Sequence, residues 1–164
     1  MYRGYVDLSV DEGLSWSLEN GICDAAIARF AARLAADAPG GSPETRDLSA
    51  MSQYLSHRSL DYRLLFDSSS GFFRGRDNAG RFSAADFDPR DWGGDYTETN
   101  AWGMAFSAPH DPIGLRALHG GPAGLEAKLD CFFSLPETAS SDHVGAYGRV
   151  IHEMPCRRPR ETAQ

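Results

Sequence analysis

DEGLSWSLENGICDAAIARFAARLAADA, residues 11–38, sets the architecture. Its apolar side chains fall at Leu14, Leu18, Ile22, Ala26, Phe30 and Leu34. That four-residue step predicts one long amphipathic helix from Asp11 to Ala38 with a buried face. Pro39-Gly40-Gly41 stops it, since neither residue type continues a helix. Ser42-Pro43-Glu44 then begins a second helix: a hydroxyl to cap it, a proline where the missing N–H is harmless, and an early acid that suits the helix dipole. Leu48, Met51, Leu55, Tyr62 and Leu65 mark its apolar side. Residues 11–66 therefore read as two antiparallel helices joined by a short glycine-rich turn.

Composition shifts after Phe66. Residues 67–95 are rich in Gly, Asp, Ser, Arg and Phe, and Asp77-Asn78-Ala79-Gly80 has the residue types of a turn between two short aromatic-bearing stretches, 71–76 and 81–84. A loop-rich insert with a small β-hairpin is expected there. A third helix is expected from Thr97 or Glu98 to about Ser107, a short one over 113–119 closed by Gly120-Gly121, and another over 123–133 with Leu125, Leu129 and Phe132 inside. The whole reads as mainly α.

Chemistry concentrates between Tyr96 and Trp102, where an acid, amide groups and an indole lie within seven residues, Tyr96-Thr97-Glu98-Thr99-Asn100-Ala101-Trp102. A carboxylic acid can protonate a glycosidic oxygen, an aromatic ring offers an apolar face to a pyranose, and amides bond hydroxyls. The same residues also read as a helix start, with Thr97 as cap and Glu98 as first-turn acid. Asn100 can equally satisfy backbone, and Trp102 can equally be a core aromatic. Arg74 and Arg76 stand either as hydroxyl binders or as solvated loop cations. His110-Asp111 favours structure: adjacent residues seldom face one another as base and orienter, and Asp111 before Pro112 suits a helix cap.

In their order along the chain these segments resemble glycoside hydrolase family 92, the calcium-dependent exo-acting α-mannosidases. The resemblance rests on Tyr96–Trp102 with Pro109-His110-Asp111 and on Gly13–Glu19 followed by Asp24 and Ala28. It continues through Asp61–Asp67 with Gly71–Arg76, Gly120-Gly121, Lys128-Leu129-Asp130, Phe132-Phe133 and finally Gly145–Met154. Asn20 and Cys23 depart from the Tyr and first Asp of many members, and Thr99 and Gly103 from their Gly and Gln. The resemblance implies part of an (α/α)6 barrel over residues 1–154, with 155–164 a non-matching, disordered tail and a cut or frameshift near Met154. It implies hydrolysis of terminal α-mannosyl linkages with inversion, Glu98 acting as general acid. Asn100, Trp102, Arg74, His152 and Glu153 would contact a mannose-containing glycan. The resemblance further implies that the general base and most calcium ligands lie beyond Met154; no dense run of oxygen ligands occurs in this sequence. The alternative is a catalytically inactive truncated product or a carbohydrate-binding remnant.

A formal charge of −7 and a single lysine argue against a nucleic-acid partner, which needs clustered cations; Arg157-Arg158-Pro159-Arg160 is short and terminal. Cys23, Cys131 and Cys156 form neither a disulfide framework nor a zinc ribbon. The N-terminus shows no apolar leader and no run approaches a membrane span, although members of the resembled family are usually exported.

Overall fold

A computed structural model describes residues 3–83 and 87–135. Five helices order it: α1 (Gly13–Asp37), α2 (Pro43–Arg58), α3 (Ala101–Met104), α4 (Pro112–Leu118) and α5 (Pro122–Ser134). A 3-10 turn over Asp61–Leu65 leads into the antiparallel pair β1 (Phe66–Asp67) and β2 (Phe72–Phe73). The chain is mainly helical, with little strand, as part of an (α/α)6 barrel should be. No described helix is long and apolar enough to cross a membrane.

α1 and α2 form the expected hairpin, and small residues set how closely they approach. Gly21, Ala25, Ala28 and Ala31 are buried along α1, and a Cβ at Gly21 would lie 3.3 Å from the Ser59 carbonyl oxygen. Asp24, 4% exposed, accepts two hydrogen bonds from the Arg58 guanidinium across the pair. Ser42 caps α2 through Thr45 N–H at 3.1 Å, with Pro43 in the first turn.

The buried face of α1 differs from the four-residue stripe. Leu14 and Leu18 are buried, yet Ile22 is half-buried, Ala26 is exposed, and Phe30 and Leu34 point outward. A four-residue step overshoots the 3.6-residue turn by about 40°, so five steps carry the stripe roughly half-way round the helix. On α2 only Leu55 is buried; Met51 is exposed, and Tyr62 and Leu65 belong to the 3-10 turn. Leu125, Leu129 and Phe132 of α5 are half-buried rather than inside.

The main core gathers at the start of α1. Leu14 and Leu18 meet Tyr62, Leu65, Phe66, Phe72, Phe73 and Tyr96, with Ala101, Ala105, Ala108 and Leu115 closing over them. The expected turn at Asp77–Gly80 is present, with Asp77 N–H donating to Arg81 O at 2.9 Å, but the pairing beyond it is the single bridge Arg76 to Phe82. The β1–β2 pair adds a ladder not anticipated from sequence. Asp111 caps α4 through Gly114 N–H at 2.9 Å, and His110 bonds the Ser59 carbonyl at 2.8 Å, so both take the structural parts expected of them.

Candidate active site

The segment from Gly93 to Met104 is a docked loop rather than a long helix. Gly93 and Gly94 take φ of 86° and 65°, a reversal that glycine makes without Cβ strain. Gly93 N–H then donates to Thr99 O at 3.0 Å and Tyr96 N–H to Gly93 O at 3.2 Å, which closes the turn. The expected helix over 97–107 is shortened to Ala101–Met104 because Asn100 takes the cap and Glu98 has φ 49°, incompatible with a first helical turn. Glu98 is therefore not a dipole-stabilising first-turn acid.

Two layers grip this loop. On one side lies the start of α1: Ser15 N–H donates to Asp95 O at 3.3 Å and Glu12 N–H to Gly94 O at 3.2 Å. Thr97 N–H donates to Ser15 Oγ at 2.9 Å, and the Thr97 hydroxyl donates to Glu12 Oε2 at 2.8 Å. On the other side the buried Tyr96 hydroxyl donates to Phe73 O at 2.7 Å, and Gly75 N–H to Asp95 Oδ2 at 3.1 Å. Glu12 has φ 58°, so a left-handed glutamate lies on each side of the Thr97 contact. Such a conformation costs roughly 1–3 kcal/mol per residue and persists only where surroundings enforce it. The result is an exposed Glu98 carboxylate on a fixed backbone, with no hydrogen bond to another described residue.

The other candidates are placed as follows. Asn100 Oδ1 accepts from Gly103 N–H at 3.1 Å and its Nδ2 donates to Arg90 O at 3.3 Å, so the amide serves the loop. Trp102 is half-buried, edge-on to Phe72 at 4.7 Å, with Lys128 Nζ 4.3 Å from its ring centre. Arg74 pairs with Asp67 at 2.9 Å, donates to Ser83 O at 2.7 Å and lies over Phe87 at 4.4 Å. Phe87 in turn meets Phe72 at 5.8 Å, so Arg74 and Trp102 lie along one row of rings, which continues from Trp102 to Phe132 at 6.3 Å. His152, Glu153 and the tail from Pro155 lie outside the described residues. A cleft of about 220 Å³ between the N-terminal segment and the α1–α2 pair is lined by Ser17, Asn20, Asp24, Arg58 and Asp61 among others, and not by Glu98, Asn100, Trp102 or Arg74.

Electrostatics separate the carboxylates. Burial raises the pKa of Asp95, with the Gly75 N–H bond and Arg74 only partly opposing it. Burial also lifts the Tyr96 phenol far above its usual range, and neighbouring Asp95 adds to the shift. At Asp67 burial pulls upward, but bonds from Ser69, Arg74 and Ser70 outweigh it and hold the carboxyl well below the ordinary range. Glu12, Ser15 and Asp95 escaped the sequence reading because their contacts with the loop span up to 85 residues.

The Glycosyl hydrolase family 92 catalytic domain matches residues 1–154. The chain belongs to glycoside hydrolase family 92. A family 92 inverting mannosidase from Bacteroides thetaiotaomicron VPI-5482 superposes with TM-score 0.68 and 33% identity, covering 92% of this chain and 18% of that one. A further family 92 α-mannosidase of Bacteroides thetaiotaomicron gives TM-score 0.66 at 27% identity, over 80% of this chain and 16% of its own. The complex of that enzyme with mannoimidazole gives 0.69 at 25%, over 84% and 17%. No curated protein matches. The chain thus spans under a fifth of these family 92 structures. Among the described residues no group of three or more His, Cys, Asp or Glu is placed to hold a metal ion. Near Glu98 the carboxylate of Glu12 is engaged by Thr97 and Asp95 Oδ2 accepts from Gly75, so the described donors do not fit calcium.

Proposed function

We propose that this chain is part of the catalytic centre of an exo-α-mannosidase that hydrolyses terminal α-mannosyl linkages of glycans with inversion, Glu98 serving as general acid. The observation that carries the reading is the Glu98 carboxylate itself: exposed, unengaged by described residues, and held on a backbone gripped from two sides. An alkoxide leaves poorly from a sugar carbon, so a proton must reach the glycosidic oxygen as that bond breaks. A fixed acid delivers it without the entropy of a search. Inversion also needs a second carboxylate that activates water on the opposite face of the ring, with the two groups roughly 6.5–9.5 Å apart. Asp95 already accepts from Gly75 N–H through Oδ2 on the inner side of the loop, a structural part rather than that of the base. We place the base and the calcium ligands beyond Met154, with His152 and Glu153 contributing to substrate binding. Trp102 lines the sugar site with the part of its ring that Phe72, Phe132 and Lys128 leave open, while Asn100 and Arg74 shape the loop and the row of rings behind it.

The test is mannose release by the protein carrying this chain, with and without Glu98→Gln. Loss of the acid should slow α-mannobiose cleavage by on the order of 100-fold or more, and slow an aryl α-mannoside with an acidic leaving group much less, since that group departs without a proton. Equal losses on both substrates, or none, would remove Glu98 from the role. The second reading, an inactive product, rests on the exposed apolar side chains of α1. Mannose release by the 164-residue chain alone would exclude it.

A further inference from the structure

Glu12 is an unusual residue to stand before a helix. That position ordinarily goes to Ser, Thr, Asp or Asn, whose short side chain bonds an amide of the first turn. Glu12 makes no such bond, and its backbone is left-handed at φ 58°. Its carboxylate is directed across the fold instead, where it accepts the Thr97 hydroxyl at 2.8 Å. Three residues on, Ser15 is 2% exposed, next to Leu14 of the main core, and its Oγ accepts the Thr97 N–H at 2.9 Å. Both groups that Thr97 can donate are therefore held by the start of α1. Beyond Glu98, Thr99 O accepts from Gly93 N–H at 3.0 Å. Glu98 is thus pinned through both neighbours, while its own carboxylate engages no described residue.

We propose that Ser15 and Glu12 are positioning residues that aim the acid, an inference that rests on Glu98 being the general acid of an α-mannosidase. A glutamate at φ 49° occupies a region that non-glycine residues leave once their surroundings release them. That change in φ redirects Cβ and, with it, the carboxylate. Proton delivery depends on the placement, since moving a catalytic group by about 1 Å costs on the order of 100-fold in rate. Ser15 carries the larger share, because solvent replaces the surface contact from Glu12 more readily than the one from a buried hydroxyl. The first turn of α1 is also a firm anchor: Leu14 and Leu18 fix it in the core, and a group held on a packed helix is placed more closely than one held by a loop.

The deciding measurement is the ratio of kcat for α-mannobiose to kcat for an aryl α-mannoside with an acidic leaving group, in the protein carrying this chain. A reduced folded fraction scales both rates alike, so a purely structural role leaves the ratio at its native value. Ser15→Ala should lower kcat for α-mannobiose about tenfold or more with KM little changed, and kcat for the aryl mannoside less than about threefold, because that leaving group departs without a proton. Glu12→Ala should move the ratio the same way by a smaller factor. Glu12→Gln keeps an acceptor oxygen for the Thr97 hydroxyl and should restore it. An unchanged ratio in Ser15→Ala overturns the proposal; where that variant does not fold, an unchanged ratio in Glu12→Ala does so. Glu98→Gln tells this failure from failure of the acid assignment. A ratio moved by Glu98→Gln but by neither positioning variant removes this inference alone. A native protein that releases no mannose, or a ratio that Glu98→Gln leaves unchanged, removes the acid and this inference with it.

Discussion

The two ends of α1 are completed to different degrees. At its start Leu14 and Leu18 are 1% and 0% exposed, enclosed by Tyr62, Leu65 and Phe73. Further along, Phe30 is 64% exposed and Leu34 39%, while Met51 and Tyr54 of α2 stand at 49% and 57%. Helical layers are stable when each apolar stripe is covered by a neighbouring element. At the start of α1 the cover comes from the 3-10 turn, the β1–β2 pair and the loop bearing Glu98; at the other end the described residues supply little beyond α2. The lesson is that the platform for Glu98 is built at the covered end of the helix. In a barrel, the remaining face is where further helices would pack.

The comparison breaks first if that core is not firm. Phe73, 0% exposed, meets Tyr62 at 5.9 Å and Phe66 at 5.4 Å, and its carbonyl receives the Tyr96 hydroxyl. Phe73→Ala should cost about 3–5 kcal/mol in chemical denaturation, the range for emptying a packed aromatic site. A loss below about 1 kcal/mol would show that the site collapses or was never tightly filled.

Asp67 tests the same end through pH. Its side chain is 6% exposed and Arg74 is 14% exposed, so solvent screens the pair weakly. The folded carboxyl titrates below its unfolded value, so its contribution is present above the ordinary carboxylate pKa of about 3.9 and is lost as pH falls below that point. Asp67→Asn should cost about 1.5–3 kcal/mol at neutral pH and flatten the acid limb of the stability curve. Asp95 runs the other way. Its folded pKa is raised, so its contribution is present below the unfolded pKa and lost as pH rises through the folded one. An unchanged acid limb in Asp67→Asn would mean that another carboxylate governs acid unfolding.

What was legible in the sequence follows the range of the interaction. Ser42-Pro43-Glu44 and Asp111-Pro112 announce helix starts with local chemistry, and both caps form. The buried arc of α1 does not follow its four-residue apolar stripe, because its packing face is written in small residues: Gly21, Ala25, Ala28 and Ala31. The segment at Glu98 was legible as chemistry but not as shape. Its conformation is imposed by Glu12 and Ser15 from one side and by Phe73 and Gly75 from the other, and no local propensity encodes contacts across 82 or 23 residues. Tertiary contacts overrode a plausible helix start.

The smallest effect is expected at the open end, and it is the sharpest probe of the contrast. Phe30 already exposes most of its surface, so replacing it removes little burial. Phe and Ser also have nearly equal helix propensity. Phe30→Ser should therefore change stability by no more than about 0.5 kcal/mol in dilute solution, while lowering self-association, because it interrupts the exposed run of Ile27, Phe30 and Leu34. Denaturation at two protein concentrations, with sedimentation velocity alongside, separates the outcomes. A loss above about 1 kcal/mol that persists on dilution would mean that Phe30 is covered within the single chain in solution, and the two ends of α1 would no longer differ in the way described.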